Sequence, residues 1–247
     1  MSRFFCDLHT HSCLSPCGDD DSTPANIAGM AALNGLHIAA LTDHNTSKNC
    51  PAFFVHAENY GVIPVAGMEL TTSEDVHAVC LFRTLEDAMS FDRYVEGCRT
   101  PFPNRPEIFG RQLLMDENDE PAGEEPFLLI NATSLSLEDA HREVSARGGV
   151  CFPAHIDRPS NGIITMLGVF PPDPPFTAFE LNDEASMDEY AGRFPIIKGL
   201  RHVVSSDAHN LADLPEAAFS LELSADPDDP QAVRDALIDY LLGKNKE

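Results

Sequence analysis

Residues 37–45 read His-Ile-Ala-Ala-Leu-Thr-Asp-His-Asn, and this stretch says most about the fold. Its first part is a continuous, largely apolar run, as expected for a strand buried on both faces of a parallel sheet. Asp43 and His44 follow directly, where the strand must end. Polar side chains at the carboxyl end of a buried strand are typical of the sites of α/β enzymes.

The same alternation of apolar runs and amphipathic stretches continues on both sides of this stretch. Thr23 and Pro24 predict the start of a helix that Gly35 ends, and Ser136 predicts another helix start. Further helices are expected at 51–60, 85–96, 160–168, 188–194 and from 230 onward, and further strands at 4–7, 62–66, 76–82, 150–154, 176–181, 202–206 and 219–223. This order favours an α/β fold with a parallel sheet, and periodicity leaves a closed barrel and an open sheet as alternatives.

The length of 247 residues suits a single domain over 1–247. One segment, residues 99–126, interrupts the alternation with five prolines and a charged stretch. We expect it to be an irregular insertion or lid with little regular structure rather than a linker between domains.

The net charge of −24, from 40 acidic and 16 basic residues, argues against nucleic-acid polymers and anionic membranes as partners. A small phosphorylated substrate stays compatible with this charge, because bound divalent cations can invert the potential within a site. The chain starts without a secretory signal, has no apolar run long enough to span a membrane, and carries seven scattered cysteines. We therefore expect a cytoplasmic protein, of unknown oligomeric state.

Candidate metal ligands accumulate at the ends of the predicted strands. His9 and His11 lie two residues apart on a strand, so both imidazoles can meet one cation. Further candidates, all but His77 at carboxyl ends, are Asp43, His44, Glu69, His77, His155, Asp207 and His209. Clustering so many unpaired imidazoles and carboxylates would oppose folding unless divalent cations bound them. The sequence therefore predicts a multinuclear metal site.

In order and spacing, these residues resemble the motifs of the PHP (polymerase and histidinol phosphatase) family. The matching segments are 7–12, 42–45, 67–69, His77, His155 and 206–209. The resemblance implies a distorted (β/α)7 TIM-like barrel. It also implies a metal-dependent phosphoric ester hydrolase that binds two or three divalent metals (manganese, iron or zinc) and acts through a metal-activated water.

The resemblance also implies which residues bind each metal. The first metal takes His9, His11, Glu69 and Asp207, and Glu69 bridges to a second metal bound by His77 and His155. The third metal takes His44, His209 and a residue of the loop 15–21, for which Cys17 and Asp19 are the candidates. A thiolate ligand favours zinc, whereas a carboxylate favours manganese or iron.

Five residues have predicted roles in catalysis or substrate binding. Glu69, Asp207 and His209 are the predicted catalytic residues, with His209 one candidate for a general acid. Arg158, three residues after His155, is a candidate for binding phosphate oxygens, although a surface ion pair explains it nearly as well. Lys48 is a weaker candidate of the same kind.

Three cysteines, Cys13, Cys17 and Cys50, flank two of the ligand-bearing loops. They are compatible with a small metal or redox cluster. They are also compatible with ordinary small residues near the site, and we favour that interpretation.

The leading functional hypothesis is a phosphoesterase acting on a small phosphorylated metabolite or nucleotide. One alternative is a phosphoprotein phosphatase on the same fold, with residues 99–126 shaping a docking surface. The others are a metal-dependent amidohydrolase acting on a carbonyl and a non-catalytic regulatory PHP module.

Overall fold

The computed structural model describes residues 1–244. Its strands are β1 (Ser2–Thr10), β2 (Ile38–Leu41), β3 (Ile63–Thr71), β4 (His77–Leu81), β5 (Leu113–Met115), β6 (Pro121–Glu124), β7 (Val150–Pro153), β8 (Ala178–Leu181), β9 (Arg201–Val204) and β10 (Ser220–Leu223). Its α-helices are α1 (Pro24–Leu33), α2 (Cys50–Tyr60), α3 (Leu85–Glu96), α4 (Pro106–Phe109), α5 (Leu137–Ala146), α6 (Ile163–Leu167), α7 (Met187–Arg193) and α8 (Pro230–Leu241). The predicted alternation of strands and helices is confirmed.

Six strands form a sheet in the order β10-β1-β2-β3-β4-β7, and β8 and β9 form a separate parallel pair. Strands β1, β2 and β3 are parallel, whereas β4 runs antiparallel to both β3 and β7. Backbone hydrogen bonds join the separate pair to the sheet on both sides. The Asp207 amide donates to the His9 carbonyl (3.0 Å), and the Ile156 amide donates to the Glu180 carbonyl (2.9 Å). The sheet is therefore curled.

The α/β prediction is confirmed, but a complete (β/α)7 barrel is not. The departure lies between β3 and β4, which residues 72–76 join directly, without a crossover helix. A short turn can connect antiparallel strands, whereas parallel strands need a long crossover. The expectation of a parallel sheet therefore holds for β1 to β3 and fails at β4.

Strand β2 is buried on both faces, which explains its uninterrupted apolar run. Ile38 and Ala40 belong to an inner core that also contains residues of β1, β7 and α8. Ala39 and Leu41 belong to an outer core formed with the helices, where Phe53 of α2 packs. The two cores fix β2, and with it the position of the loop that follows.

Residues 99–126 contain more regular structure than we expected: α4 and a hairpin of β5 and β6. The hairpin packs against the rest of the domain, because Leu113 and Met115 are buried in a small cluster with Cys13. The Asn49 side chain donates to the Leu113 carbonyl (3.0 Å) and accepts from the Met115 amide (3.0 Å). These long-range contacts order a segment whose local sequence predicts irregularity.

Within residues 1–244, no helix is long and apolar enough to cross a membrane.

Candidate metal centre

The candidate ligands meet at one edge of the curled sheet. His9 lies near the carboxyl end of β1, and Glu69 lies near that of β3. His77 is the first residue of β4 and pairs with Thr71, near the end of β3. Because β4 runs antiparallel to β3, its amino end lies at the edge where β1 to β3 have their carboxyl ends. The one candidate at the start of a strand thereby reaches the same place as the others.

Glu69 lies at the centre of this group and is fully buried. Its Oε1 atom lies 2.7 Å from His77 Nδ1, 3.0 Å from His155 Nε2 and 3.4 Å from His9 Nε2. Its Oε2 atom lies 2.9 Å from Nδ1 of His44. One carboxylate thus faces imidazoles from several strands and loops.

Asp207 supplies the second carboxylate. Its Oδ1 atom lies 3.0 Å from His11 Nε2 and 3.5 Å from His9 Nε2, and these two Nε2 atoms are 3.1 Å apart. The Arg158 guanidinium contacts Oδ2 of Asp207 from the side of the cleft. The Nε2 atoms of His9 and His11 therefore face each other, and both also face the carboxylates of Glu69 and Asp207.

Hydrogen bonds on the far side of three rings fix their tautomers. His9 Nδ1 lies 2.9 Å from Glu180 Oε1, and His209 Nδ1 lies 2.8 Å from the Asp207 carbonyl. A carbonyl cannot donate, and neither can an ionised carboxylate, so each ring carries its proton on Nδ1. The Nε2 atoms of His9 and His209 then face the centre of the cluster. There burial acts to lower the pKa of the His9 ring, but the carboxylates around it raise that pKa well above the usual range.

His11 is fixed in the same way through a serine. Its Nδ1 lies 3.0 Å from Ser15 Oγ, and that hydroxyl donates to Asp43 Oδ1 (2.7 Å). Since the hydroxyl proton goes to Asp43, the serine oxygen accepts from His11 Nδ1. Asp43, one of the predicted candidates, thus acts through Ser15 and also accepts from the Ser12 amide (2.7 Å).

The side chains of the cluster differ in the direction of their pKa shifts. Burial acts against ionisation of Glu69, but the surrounding imidazoles outweigh it and hold its pKa well below the usual range. Burial also acts to lower the pKa of His11, but Asp207 and Glu69 raise it to about 9. Burial lowers the pKa of His44 to about 3 and that of His209 to about 4. The last two imidazoles are therefore neutral at physiological pH, as metal ligands must be.

Several buried atoms of this cluster lack a hydrogen bond of normal geometry, although three of them lie within 3.0 Å of another candidate ligand. They are His44 Nδ1, His155 Nδ1, Glu69 Oε2 and Asp207 Oδ1. Native proteins rarely leave buried polar atoms unpaired, because desolvation of each opposes folding by about 1–3 kcal/mol. Imidazole nitrogens and carboxylate oxygens are the donor set of transition metals. The residues present therefore fit divalent cations.

Three overlapping groups bring ligand atoms within 4.8 Å of one another: His9–His11–Glu69–Asp207, His44–Glu69–His77 and His11–His44–His209. The first group is identical to the set implied for the first metal. In the second, His44 contacts Glu69 Oε2, whereas His77 and His155 both contact Glu69 Oε1. In the third, His11 takes the place expected for a residue of the loop 15–21.

Three non-glycine residues at this edge adopt left-handed backbone conformations: Asn45 (φ 52°), His155 (φ 26°) and Asp207 (φ 53°). Such conformations persist only where the surroundings hold them. Each amide donates a hydrogen bond within the site: Asn45 to the Glu69 carbonyl, His155 to the Glu180 carboxylate and Asp207 to the His9 carbonyl. The turns at His155 and Asp207 aim these two side chains at the centre, whereas the Asn45 side chain binds the backbone of Thr71, Leu129 and Asn131.

The cluster opens into a cleft at the protein surface. Arg158, Ser160 and Asn161 line it together with the ligands at its base. The Arg158 side chain is 40% exposed, so its guanidinium can reach a bound molecule. Of the two basic residues predicted to bind substrate, Arg158 is the one in this cleft.

The second basic candidate, Lys48, lies elsewhere. Its ammonium group contacts Glu125 (2.7 Å) and Glu96 (3.0 Å), and Lys48 does not line the cleft. Its proposed role in substrate binding gains no support from this geometry and stays a prediction.

The loop candidates for the third metal are also outside the three ligand groups. Cys17 is exposed. The Asp19 carboxylate accepts from the Asp21 amide, and the Asp19 amide donates to the His209 carbonyl (2.9 Å). The loop is therefore attached to the site through its backbone, and ligation by either side chain stays a prediction.

The three flanking cysteines do not come together as a cluster in residues 1–244. Cys13 packs in the small apolar cluster with Leu113, and the Cys50 thiol lies 3.6 Å from the Leu41 carbonyl. This placement agrees with ordinary small residues near the site.

The residue that sequence reasoning missed is Glu180. It is fully buried in β8 and binds His9 and the backbone of His155. The one available signal was an acidic residue inside the apolar run 178–181, a position where a carboxylate needs a specific partner.

Comparison with known proteins supports these observations. The sequence profile of the PHP domain family matches residues 7–134. An error-prone DNA polymerase from Symbiobacterium thermophilum is 36% identical over 77 residues, which is 31% of this chain and 7% of the polymerase. The chain thus spans a small part of that relative.

Solved structures share the fold at low sequence identity. PfuEndoQ, a lesion-specific endonuclease from Pyrococcus furiosus, matches with a TM-score of 0.63 at 18% identity, over 98% of this chain and 56% of the endonuclease chain. A protein from Bifidobacterium adolescentis named as a metal-dependent phosphoesterase matches with a TM-score of 0.57 at 19% identity, over 94% of this chain and 95% of that one. At these identities the matches show the fold alone.

The comparisons correct our expectation about partners. We expected a small phosphorylated substrate and argued against nucleic-acid polymers. However, Endonuclease Q, whose structure has a 27-mer duplex substrate with an abasic lesion at the active site, shares the fold over 96% of this chain. The polymerase match points the same way. The expectation was wrong because a net charge sums the whole surface, whereas binding depends on the local potential, which bound cations reverse.

Proposed function

The chain belongs to the PHP domain family, and we propose that it is a metal-dependent phosphoric ester hydrolase. One observation carries the proposal. The buried carboxylate of Glu69 is surrounded by imidazoles, and the cluster contains unpaired nitrogen and oxygen atoms facing an open cleft. A site of this kind is built for cations and for an anionic ligand that they bind.

We infer two or three metal positions. His9, His11, Glu69 and Asp207 would hold one cation, and Glu69 would be shared with a second position formed with His77 and His155 or His44. His209 and His44, with His11, would form a third. Nitrogen and oxygen ligands of this mixture suit manganese, iron or zinc. The hydrogen bonds that join the β8–β9 pair to the sheet on both sides support a distorted (β/α)7 barrel as the frame of these positions.

When bound, such cations supply an activated water and charge stabilisation for a phosphoryl group. The protein side chains do the positioning. Glu180, Ser15 and the Asp207 carbonyl hold His9, His11 and His209 with their Nε2 atoms inward. Arg158 stands at the cleft, where its guanidinium can pair with a phosphate oxygen in place of Asp207. His209 is neutral at physiological pH because of its lowered pKa, so it presents a lone pair rather than a proton.

We propose a nucleic acid as the first substrate class to test. The endonuclease and the polymerase that resemble this chain support this choice.

The experiment loads the purified protein separately with Mn²⁺, Zn²⁺ or Fe²⁺. It then measures hydrolysis of p-nitrophenyl phosphate, bis-p-nitrophenyl phosphate and labelled oligonucleotides with and without an abasic site. We expect hydrolysis of at least one phosphate ester that EDTA abolishes and added metal restores. Equal turnover by the metal-free protein contradicts the proposal. Hydrolysis of amides but of no phosphate ester would establish the amidohydrolase alternative instead.

A further inference from the structure

Glu180 is a buried acid with an unusual set of partners. Its Oε1 atom is shared between His9 Nδ1 (2.9 Å) and the backbone amide of His155 (3.0 Å). Its Oε2 atom is buried without a hydrogen-bond partner. Among residues 1–244, no arginine or lysine lies within ion-pair distance of this carboxylate, whose ion-pair partner there is His9.

The contact with His9 determines what the inward face of that ring can do. Because the carboxylate accepts at Nδ1, the ring keeps its proton there and directs its Nε2 atom toward Glu69 and Asp207, where a cation would bind it. Ligating histidines in metalloproteins commonly have such a carboxylate behind them, which orients the ring and increases its basicity.

The contact with His155 acts on the backbone instead. His155 has a φ of 26°, which a non-glycine residue adopts only if neighbouring groups hold it. The hydrogen bond from its amide to Glu180 Oε1 is such a restraint. It fixes the turn from which the His155 ring reaches Glu69 (3.0 Å).

We propose that Glu180 is a positioning residue that sets two metal positions at once, through the ring of His9 and the backbone of His155. The inference rests on the proposed function, because it assumes that these histidines bind cations. His9 belongs to the first proposed position and His155 to the second. Loss of the Glu180 carboxylate should therefore weaken both positions together, although it contacts no cation itself.

The test compares Glu180→Gln and Glu180→Ala with the unmodified protein. Glutamine keeps an oxygen that accepts both hydrogen bonds but removes the charge, whereas alanine removes both. We expect metal affinity to fall roughly 10-fold for glutamine and roughly 100-fold for alanine, the range found for outer ligand partners. Competition with a chelator measures the affinity of Zn²⁺, and the visible spectrum of the Co²⁺-loaded protein reports ligand geometry. Glu125→Gln is the matched control, because Glu125 is a buried glutamate bound to Lys48 outside the site.

A structural role alone predicts a different outcome. Both variants would then lose thermal stability, as the control does, while Zn²⁺ affinity and the Co²⁺ spectrum match the unmodified protein, and that result overturns the inference. If the alanine variant does not fold, the glutamine variant decides. Absence of metal binding by the unmodified protein would refute the proposed function itself, so the two failures are distinguishable.

Discussion

Two groups of charged side chains, one partly buried and one almost fully buried, lie close to the loop after β2, and they differ in how their charges are satisfied. The Lys48 cluster consists of Lys48, Glu96, Arg99 and Glu125. Each of its two cations lies 2.7–3.8 Å from the carboxylates of both glutamates. The metal-site cluster consists of Glu69, Asp207 and the histidines around them, and it contains several unpaired atoms.

This difference in pairing distinguishes the two clusters more clearly than residue type or burial does. Every charge of the Lys48 cluster has an oppositely charged partner, although Arg99 Nη1 makes no hydrogen bond, so the cluster stabilises the fold and fastens residues 99–126 to α3. The metal-site cluster opposes folding unless something from outside supplies positive charge. A deficit of partners, rather than the presence of charges, is what marks a binding site.

The largest expected effect comes from removing a charge that the metal-site cluster needs. Asp207→Asn keeps the shape of the side chain but loses an anionic ligand facing His9 and His11. We expect phosphoesterase kcat/KM to fall more than about 100-fold, beyond the range for outer ligand partners. Elemental analysis should show loss of bound metal, while circular dichroism stays unchanged. Wild-type turnover would show that Asp207 is misassigned and the cluster is not the site.

The pH dependence of the metal-free protein tests whether protons substitute for cations in that cluster. The pKa of His11 is raised from its ordinary value of 6.5 to about 9. Its protonation therefore contributes stability fully below pH 6.5, and that stability is lost as the pH rises through 9. The linkage amounts to about 3 kcal/mol.

Thermal unfolding at several pH values between 6.5 and 9 measures this effect. We expect Tm of the metal-free protein to fall over this range, and Zn²⁺ affinity to rise, because metal and proton compete for the same nitrogens. If Tm of the metal-free protein stays level or rises over this range, protonation of His11 does not stabilise the cluster.

A smaller effect is expected at the residue that links the metal-site cluster to the cleft. Arg158→Ala removes a half-exposed guanidinium that contacts Asp207. Loss of one charge-assisted hydrogen bond to a phosphate should raise KM about 10-fold, with metal content unchanged. Steady-state kinetics with Arg158→Lys as the charge-preserving control measures this. An unchanged KM would make Arg158 a surface ion pair.

The smallest effect on activity is expected in the Lys48 cluster. Lys48→Met leaves the buried Glu125 with Arg99 alone, at 3.8 Å, and should lower stability by about 1 kcal/mol. KM and metal content should not change. If KM instead rises as much as in the Arg158 variant, Lys48 reaches the substrate as its sequence position suggested, and the contrast between the clusters is lost.

Local sequence patterns predicted the order of the main elements well. The apolar run before Asp43 forms β2. Helices α1 and α5 begin at Thr23 and Ser136 as predicted, and each of these side chains accepts a hydrogen bond from the backbone amide three residues later. The grouping of the candidate ligands was also predicted, because so many imidazoles and carboxylates near strand ends indicate one common site, and the structure brings them together. The hairpin in residues 99–126 was not readable, since distant partners such as Asn49 order it.

The sequence by itself determined that this protein has an α/β fold with His9, His11, Glu69 and Asp207 at strand ends, because burial and ligand chemistry are written in residue type and spacing. Only the tertiary structure decided which other residues join them. The family resemblance already placed His77 among the ligands, but an apolar run does not reveal the direction of its strand. Only the antiparallel course of β4 explains how a residue at the start of a strand reaches the site. The tertiary structure also placed Glu180 inside the site and Lys48 outside it. The reason is that partners distant in sequence, and not the local pattern, determine whether a charge is satisfied.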